Sequence, residues 1–426
     1  MSSFKRIRKY LIPTVLIVIL AVSILAVYAS YSGGSQPKAN PNVYVGVAFG
    51  GNTTEEAKVL IDKVKSYTNL FILDSGRNPI SENETSVEEI CDYAVSQGLS
   101  VIINLGVRGT PNASNSWFWQ QPLIVTEQQW TERWGSKFLG IYYNDEPGGI
   151  QLDANWSGWF KTYGEEYLQE NSTTSNDLNQ IYLQMQTYME NGTLPQNYNL
   201  AANFFVQDVI KDDKGLEELK AAGITAFTSD YCLYWWDYMG GYNTLFAELD
   251  MNTCVTEQID LVKGAARLQD QEWGTIITWT YDTPPYLENG DQMYNQMLTS
   301  YEAGAKYIVI FDYPYVAGNK YGVMTNDQFN ALQRFWNDIT QKKLPNLSAP
   351  DAVLVLPQNY GWGMTSPNDT IWGFFPPDDK SIQIGMAASK LLTLYGVNLD
   401  IVYYDPTFPI ANVDYKYVYY WNSTSI

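Results

Sequence analysis

The sequence predicts an α/β chain: a (β/α)8 TIM barrel, preceded by an N-terminal transmembrane helix and followed by a small Rossmann-like α/β domain. Three observations carry this. Nearly apolar runs of six to eight residues alternate with amphipathic helical stretches. Eight such pairs fill about 300 residues, the number and length of a closed barrel. An uncharged run near the N-terminus is long enough to cross a bilayer. At 426 residues the chain has room for two folded units.

In chain order, Lys5, Arg6, Arg8 and Lys9 precede the uncharged run from Leu11 to Tyr31. Basic residues before the run and none soon after place residues 1–10 in the cytoplasm. The expectation is a single-pass cell-membrane protein, extracellular in bulk, held by an uncleaved signal anchor at residues 11–31. A cleaved signal peptide is the alternative, since Val27 and Ala29 suit a small-residue cleavage rule. Nine Asn-x-Ser/Thr sequons, from Asn52 to Asn422, agree with an external glycoprotein. Residues 32–42, rich in Gly, Ser and Pro, read as a linker.

Residues 43–340 hold the barrel. Its strands read Val43 to Phe49, Asn69 to Asp74, Ser100 to Leu105, Phe138 to Tyr143, Leu200 to Val206, Ile224 to Ser229, Gly274 to Tyr281 and Lys306 to Asp312. Each is apolar almost throughout, as strands are when both faces are covered. Thr53 with Glu56 and Ser86 with Glu89 have capping-box spacing at the starts of two helices. Gly98, Gly223 and Gly304 fall where helices return to strands. An open doubly wound sheet shares the alternation, but eight strands favour the barrel. After a linker at 341–350, residues 351–426 read as a β-α-β-β fragment whose strands are Ala352 to Pro357, Leu399 to Tyr404 and Tyr415 to Trp421.

Composition narrows the chemistry. The chain is 45% hydrophobic and 15% aromatic, enough for a large core with aromatic surface left over. A net charge of −20 disfavours a nucleic-acid partner. Histidine is absent, which removes Ser-His-Asp and Cys-His catalysis and the usual zinc sites. Neither a phosphate fingerprint nor the regular Asp spacing of a calcium loop is present, so no cofactor and no metal are expected. Of three cysteines, Cys91 reads as a core thiol, while Cys232 and Cys254 have a spacing that closes one loop if oxidised.

Barrel active sites lie at the C-terminal ends of strands. The residues there are Asp74, Asn104, Asp145 with Glu146, Gln207 with Asp208, Asp230, Tyr281 with Asp282, and Asp312. One such Asp is ordinarily a turn or helix cap; a ring of them facing one mouth raises pKa values as general acid catalysis requires. The most specific segment is Tyr142-Tyr143-Asn144-Asp145-Glu146-Pro147-Gly148-Gly149, which fixes a carboxylate between a buried strand and a Pro-Gly turn. Aromatic residues gather near the same mouth: Trp117, Trp119, Trp235, Trp236, Trp279 and Tyr281. Their rings suit the faces of sugars, and one of the Trp235-Trp236 pair is expected in a binding cleft.

On these residues the segment after strand four resembles the strand-four signature of (β/α)8 glycoside hydrolases, whose catalytic acid is a Glu at that strand's end. The resemblance implies Glu146 as general acid/base. It also implies a Glu nucleophile after strand seven, where this chain has Thr280-Tyr281-Asp282. The segment is similar as well to the chitinase-type pattern, with Tyr142 and Asn144 standing where that pattern has acids. Asp230, Asp282 and Asp312 are the candidate partners of Glu146. Asp74, Asn104, Tyr143, Asp145, Trp235, Trp236, Trp279, Tyr281 and Asp312 are the candidate substrate-binding residues. The C-terminal fragment resembles the start of the amidotransferase-like domain of β-galactosidase-type enzymes, which implies a role in oligomer assembly. The reading favoured is a membrane-anchored extracellular glycoside hydrolase with a carbohydrate partner. The alternatives are a glycan-binding or cell-envelope surface protein without catalysis, and a carboxylate-rich barrel acting through a bound divalent cation.

Overall fold

The computed structural model describes residues 43–423 apart from 75–79, 81–82, 105–122, 157, 159–160, 163–179, 182, 184–196, 212–213, 251–252, 313–315, 317, 342–343 and 345–348. Eight parallel strands close into a barrel in sequence order. They are β1 (Tyr44–Phe49), β2 (Leu70–Asp74), β3 (Ser100–Asn104), β4 (Phe138–Tyr142), β5 (Ala226–Asp230), β6 (Thr244–Leu249), β7 (Glu272–Ile277) and β8 (Tyr307–Asp312). β8 pairs with β1 from Tyr307↔Tyr44 to Asp312↔Phe49, which completes the ring.

Helices cover the outside: α1 (Thr54–Val64), α2 (Glu84–Ser96), α3 (Leu123–Trp134), α4 (Pro147–Asp153), α5 (Tyr198–Phe204), α6 (Lys214–Ala222), α7 (Tyr234–Gly240), α8 (Val255–Leu268), α9 (Gly290–Ala303) and α10 (Asn326–Thr340). The Thr53/Glu56 capping box opens α1 as expected, whereas Asn83 rather than Ser86 caps α2, through Thr85 N–H. Period-two alternation fills the barrel with Leu70, Ile72, Ile102, Tyr142, Phe227, Phe246, Ile276, Tyr307 and Val309.

Two strand assignments are corrected. Leu200 to Val206 is helical: Asn197 caps α5 by accepting from Leu200 N–H, and a π turn continues over Phe205–Lys211. Its Leu, Ala and Phe residues are buried because Phe204 meets Trp156 and Phe205 meets Trp372, not because two sheet neighbours cover them. The strand that takes its place is β6, TLFAEL, whose inward Glu248 interrupts the apolar run that marks the other strands.

Beyond the barrel, β9 (Ala352–Leu356), α11 (Asp379–Tyr395), β10 (Leu399–Tyr403) and β11 (Tyr417–Tyr420) form a parallel three-stranded sheet of order β10-β9-β11 with its helix. Residues 40–426 are one compact unit. The sheet closes on α8, where the buried Lys263 ammonium donates to Asp260 at 2.8 Å and lies 3.5 Å from Asp400. Arg267 and the Tyr415 hydroxyl donate to Asp400 at 2.8 and 2.7 Å. Such a buried ionic cluster is costly to break, because removing one partner leaves a buried charge uncompensated. Cys91, Cys232 and Cys254 are free thiols, so no bridge joins the latter two.

No helix among the described residues is long and apolar enough to cross a membrane. This overturns the expected placement in a cell membrane with a cytoplasmic N-terminus. The run at 11–31 on which that expectation rested lies outside the described residues, as do Trp117 and Trp119.

Candidate active site

Inward-facing residues at the C-terminal strand ends make a polar layer above the apolar barrel core. A pocket of about 40 Å³ is lined by Ala48, Ile72, Asp74, Tyr142, Asp145, Ser229, Glu248, Ile276, Thr278 and Phe311. Asp74 accepts from the Asn104 amide at 2.7 Å, so these two expected residues lie together on the β2–β3 wall. The opposite wall, from β4 to β6, carries the acids.

Glu146 and Glu248 meet there, their carboxyls joined by a side-chain hydrogen bond. Glu248 is 7% exposed. Burial pushes its carboxyl well above the usual carboxylate range, and the charges of Glu146 and Asp145 push the same way. Glu146 is raised too, first by burial; the Glu248 hydrogen bond opposes this, and Asp145, Asp250 and Asp153 add to it. Two carboxyls this close in a low-dielectric site cannot both ionise cheaply, so the pair holds a proton. Next to them, Tyr142 Oη donates to Asp145 Oδ1 at 2.5 Å and lies 2.6 Å from Ser229 Oγ, which donates to Glu248 Oε1.

The segment around Glu146 explains its own sequence. Asn144 and Glu146 adopt left-handed backbone, φ 53° and 49°, a conformation that costs non-glycine residues energy and persists where surroundings enforce it. The enforcing group is Asp230. Fully buried, it accepts from Gly148 N–H at 2.6 Å and Gly149 N–H at 3.0 Å at the start of α4, and from Tyr231 and Cys232 N–H in its own loop. A Cβ on Gly148 would stand 2.8 Å from Asp230 Oδ2, and one on Gly149 2.3 Å from the Tyr231 ring. Pro147-Gly148-Gly149 is therefore the sequence that lets α4 dock on β5 and aim Glu146.

Several expected site residues lie elsewhere. Asp230 faces away from the pocket with both oxygens engaged, because Ser229 takes the inward position of β5. Asp282 is exposed in the loop after β7 and is not among the pocket residues. Asp312 lies one step past the inward Phe311, buried, accepting from Val323 and Met324 N–H; burial raises it to about 7. Tyr143 is buried on the outer face of its strand, where a Cβ on Gly215 would meet its hydroxyl. Trp235 and Trp236 are buried, at 2% and 0%, and neither lines the pocket that holds Glu248; Trp235 instead lines a separate pocket with Tyr234, Trp362 and Tyr403. Their rings pack on the C-terminal sheet, Trp236 at 4.4 Å from Tyr403 and 4.6 Å from Trp372, Trp235 at 6.1 Å from Tyr403. Trp279 is half-buried beside Phe311, and Tyr281 is 43% exposed with its hydroxyl on Glu288.

The residues that sequence reasoning missed are Glu248 and Ser229. The available signal was an acid at an alternating position in TLFAEL, directly after the Gly240-Gly241 break.

No protein-family profile and no curated protein matches the sequence. Solved structures do. A polyextremophilic β-galactosidase from the haloarchaeon Halorubrum lacusprofundi aligns with TM-score 0.50 at 9% identity, over 84% of this chain and 66% of that one. A GH5_18 protein of Streptomyces cattleya, in complex with Manβ1-4GlcNAc, aligns with TM-score 0.49 at 10% identity, over 89% and 99%. A GH5_18 protein of Bifidobacterium longum subsp. longum gives 0.47 at 8%, over 90% and 98%. At 9% identity the likeness to the β-galactosidase shows a shared barrel fold alone. It lends no support to the amidotransferase resemblance of the C-terminal fragment, which stands as a three-stranded sheet with one helix.

Proposed function

We propose that the chain is a glycoside hydrolase acting on glycans, with Glu146 as general acid/base and Glu248 as the facing carboxylate. The observation that supports this is an interacting carboxyl pair at the C-terminal mouth of a (β/α)8 barrel, of which Glu248 lines the pocket on the wall opposite Asp74. Glycosidic cleavage needs one acid that keeps its proton near neutrality and one carboxylate to meet the positive charge that develops at the sugar. Raised proton affinity suits Glu146 to the first task. Glu248, once it loses its proton on ligand entry, suits the second. Asp74 with Asn104 holds sugar hydroxyls on the far wall, Phe311 with Trp279 offers a ring face, and Asp230 acts only by positioning Glu146.

A second reading, a glycan-binding barrel without turnover, is favoured by one feature. Hydrolysis needs both carboxyls to reach one glycosidic bond, and Glu146 is not among the residues that line the pocket. Reducing-sugar release from polysaccharides and aryl glycosides by the full chain separates the two. Release that falls by about 10³-fold or more in both Glu146→Gln and Glu248→Gln supports the hydrolase. Folded wild-type protein that binds glycans and releases nothing supports the second reading.

A further inference from the structure

The acidic wall is a continuous chain of oxygens. Asp145 meets Tyr142 at 2.5 Å, Tyr142 meets Ser229 at 2.6 Å, Ser229 bonds Glu248, and Glu248 bonds Glu146. Its ends reach solvent, Asp145 exposed and Glu146 half-buried, whereas Tyr142 and Ser229 between them are buried and Glu248 almost so. Five groups in a row make four contacts, and each close oxygen–oxygen contact needs a proton within it. The two hydroxyls supply two protons, so the rest must come from the three carboxyls. With a single carboxyl proton one contact stays open, and the direction of the hydroxyls decides which.

We propose that Asp145, Tyr142, Ser229 and Glu248 form a proton relay that recharges the Glu146 carboxyl from solvent while the pocket is occupied. The inference rests on the hydrolase reading for its purpose, though not for its geometry. After Glu146 has given its proton to a leaving group, Asp145 takes one from water and passes it to Tyr142 Oη. Tyr142 passes its own proton to Ser229 Oγ, Ser229 passes its proton to the Glu248 carboxylate, and Glu248 hands a proton on to Glu146. The balance is Asp145 acid plus Glu146 carboxylate going to Asp145 carboxylate plus Glu146 acid, with both hydroxyls restored. The backbone N–H of Ser229, 3.1 Å from Tyr142 Oη, holds the phenol in line without supplying a mobile proton.

The test is an infrared titration of the full chain, following the protonated-carboxyl band that Glu146→Gln and Glu248→Gln remove. Asp145→Asn is expected to shift that band's midpoint by about one pH unit when the relay is intact. In a Ser229→Ala or Tyr142→Phe background the shift is expected to vanish, and Ser229→Thr, which restores a hydroxyl, is expected to bring it back. An equal shift in the Ser229→Ala and Tyr142→Phe backgrounds would mean that the carboxyls sense one another through space, and would overturn the relay. Tyr142→Phe removes a single oxygen and serves if Ser229→Ala unfolds. The readout involves no turnover. Coupling that survives in a protein releasing no sugar overturns only the hydrolase reading, and release without coupling overturns only the relay.

Discussion

Two carboxyl pairs lie one residue apart along β5 and meet opposite fates. On the inward side Ser229 contacts Glu248, which pairs with Glu146. On the outward side Asp230 faces Asp237 of α7, fully buried, and burial raises both, Asp230 to about 7. In the burial that raises their carboxyls the pairs are alike. They differ in what fills the space around them. The first opens on a cavity, and Glu146 keeps a share of solvent. The second is enclosed by backbone: Asp230 holds N–H groups of α4 and its own loop, and Asp237 contributes a neutral carboxyl behind it. Perturbed acidity marks burial of a charge, and only a path to a ligand turns it into chemistry.

The sharpest way to break this comparison is to neutralise one member of each pair. Glu248→Gln is expected to lose about 10³-fold or more of sugar release while melting within about 1 kcal/mol of wild type, since a buried neutral amide replaces a buried neutral acid. Asp230→Ala is expected to cost about 3–5 kcal/mol in denaturant unfolding, because it strands several buried backbone donors at once. If Glu248→Gln unfolds the protein and Asp230→Ala spares it, the assignment of roles is reversed. Trp236→Ala belongs with the structural class. Its ring fills the joint between barrel and C-terminal sheet, so a loss of about 3–5 kcal/mol is expected, with glycan affinity unchanged at temperatures where the variant is folded.

The same contrast explains what could be read without coordinates. The barrel was legible because seven of its strands are covered on both faces and lie in runs that are apolar almost throughout. The eighth, β6, carries the inward acid that the site needs, and that acid breaks the pattern used to find strands. Leu200 to Val206 shows the converse: aromatic packing buried a helix on nearly all sides and made it look like a strand. Of the residues read at strand ends, Asp74 and Asp145 line the pocket, with Asn104 and Glu146 beside them. Asp230 and Asp312 were placed in the mouth wrongly, because a single residue step reverses the face and the inward slots belong to Ser229 and Phe311. Trp235 and Trp236 look like a sugar platform locally; only the docking of β10, far along the chain, buries them.

The finest test concerns Asp237. A carboxyl whose proton affinity is raised by folding binds its proton in the native state while the unfolded chain has already released it. Stability then falls as pH rises from the ordinary carboxylate range toward the raised value. For the Asp230–Asp237 pair, with Asp230 at about 7, the window runs from about pH 4 to pH 7, and each proton held adds a slope of up to about 1.4 kcal/mol per pH unit. Asp237→Asn keeps a donor facing Asp230 and removes one titration. Melting temperatures taken across that window should therefore decline less steeply in Asp237→Asn than in wild type, with the two curves converging at the acid end. An unchanged slope would place the pH dependence on other raised carboxyls, Asp312 and Glu257, both at about 7, and the substitutions Asp312→Asn and Glu257→Gln would then have to flatten it instead.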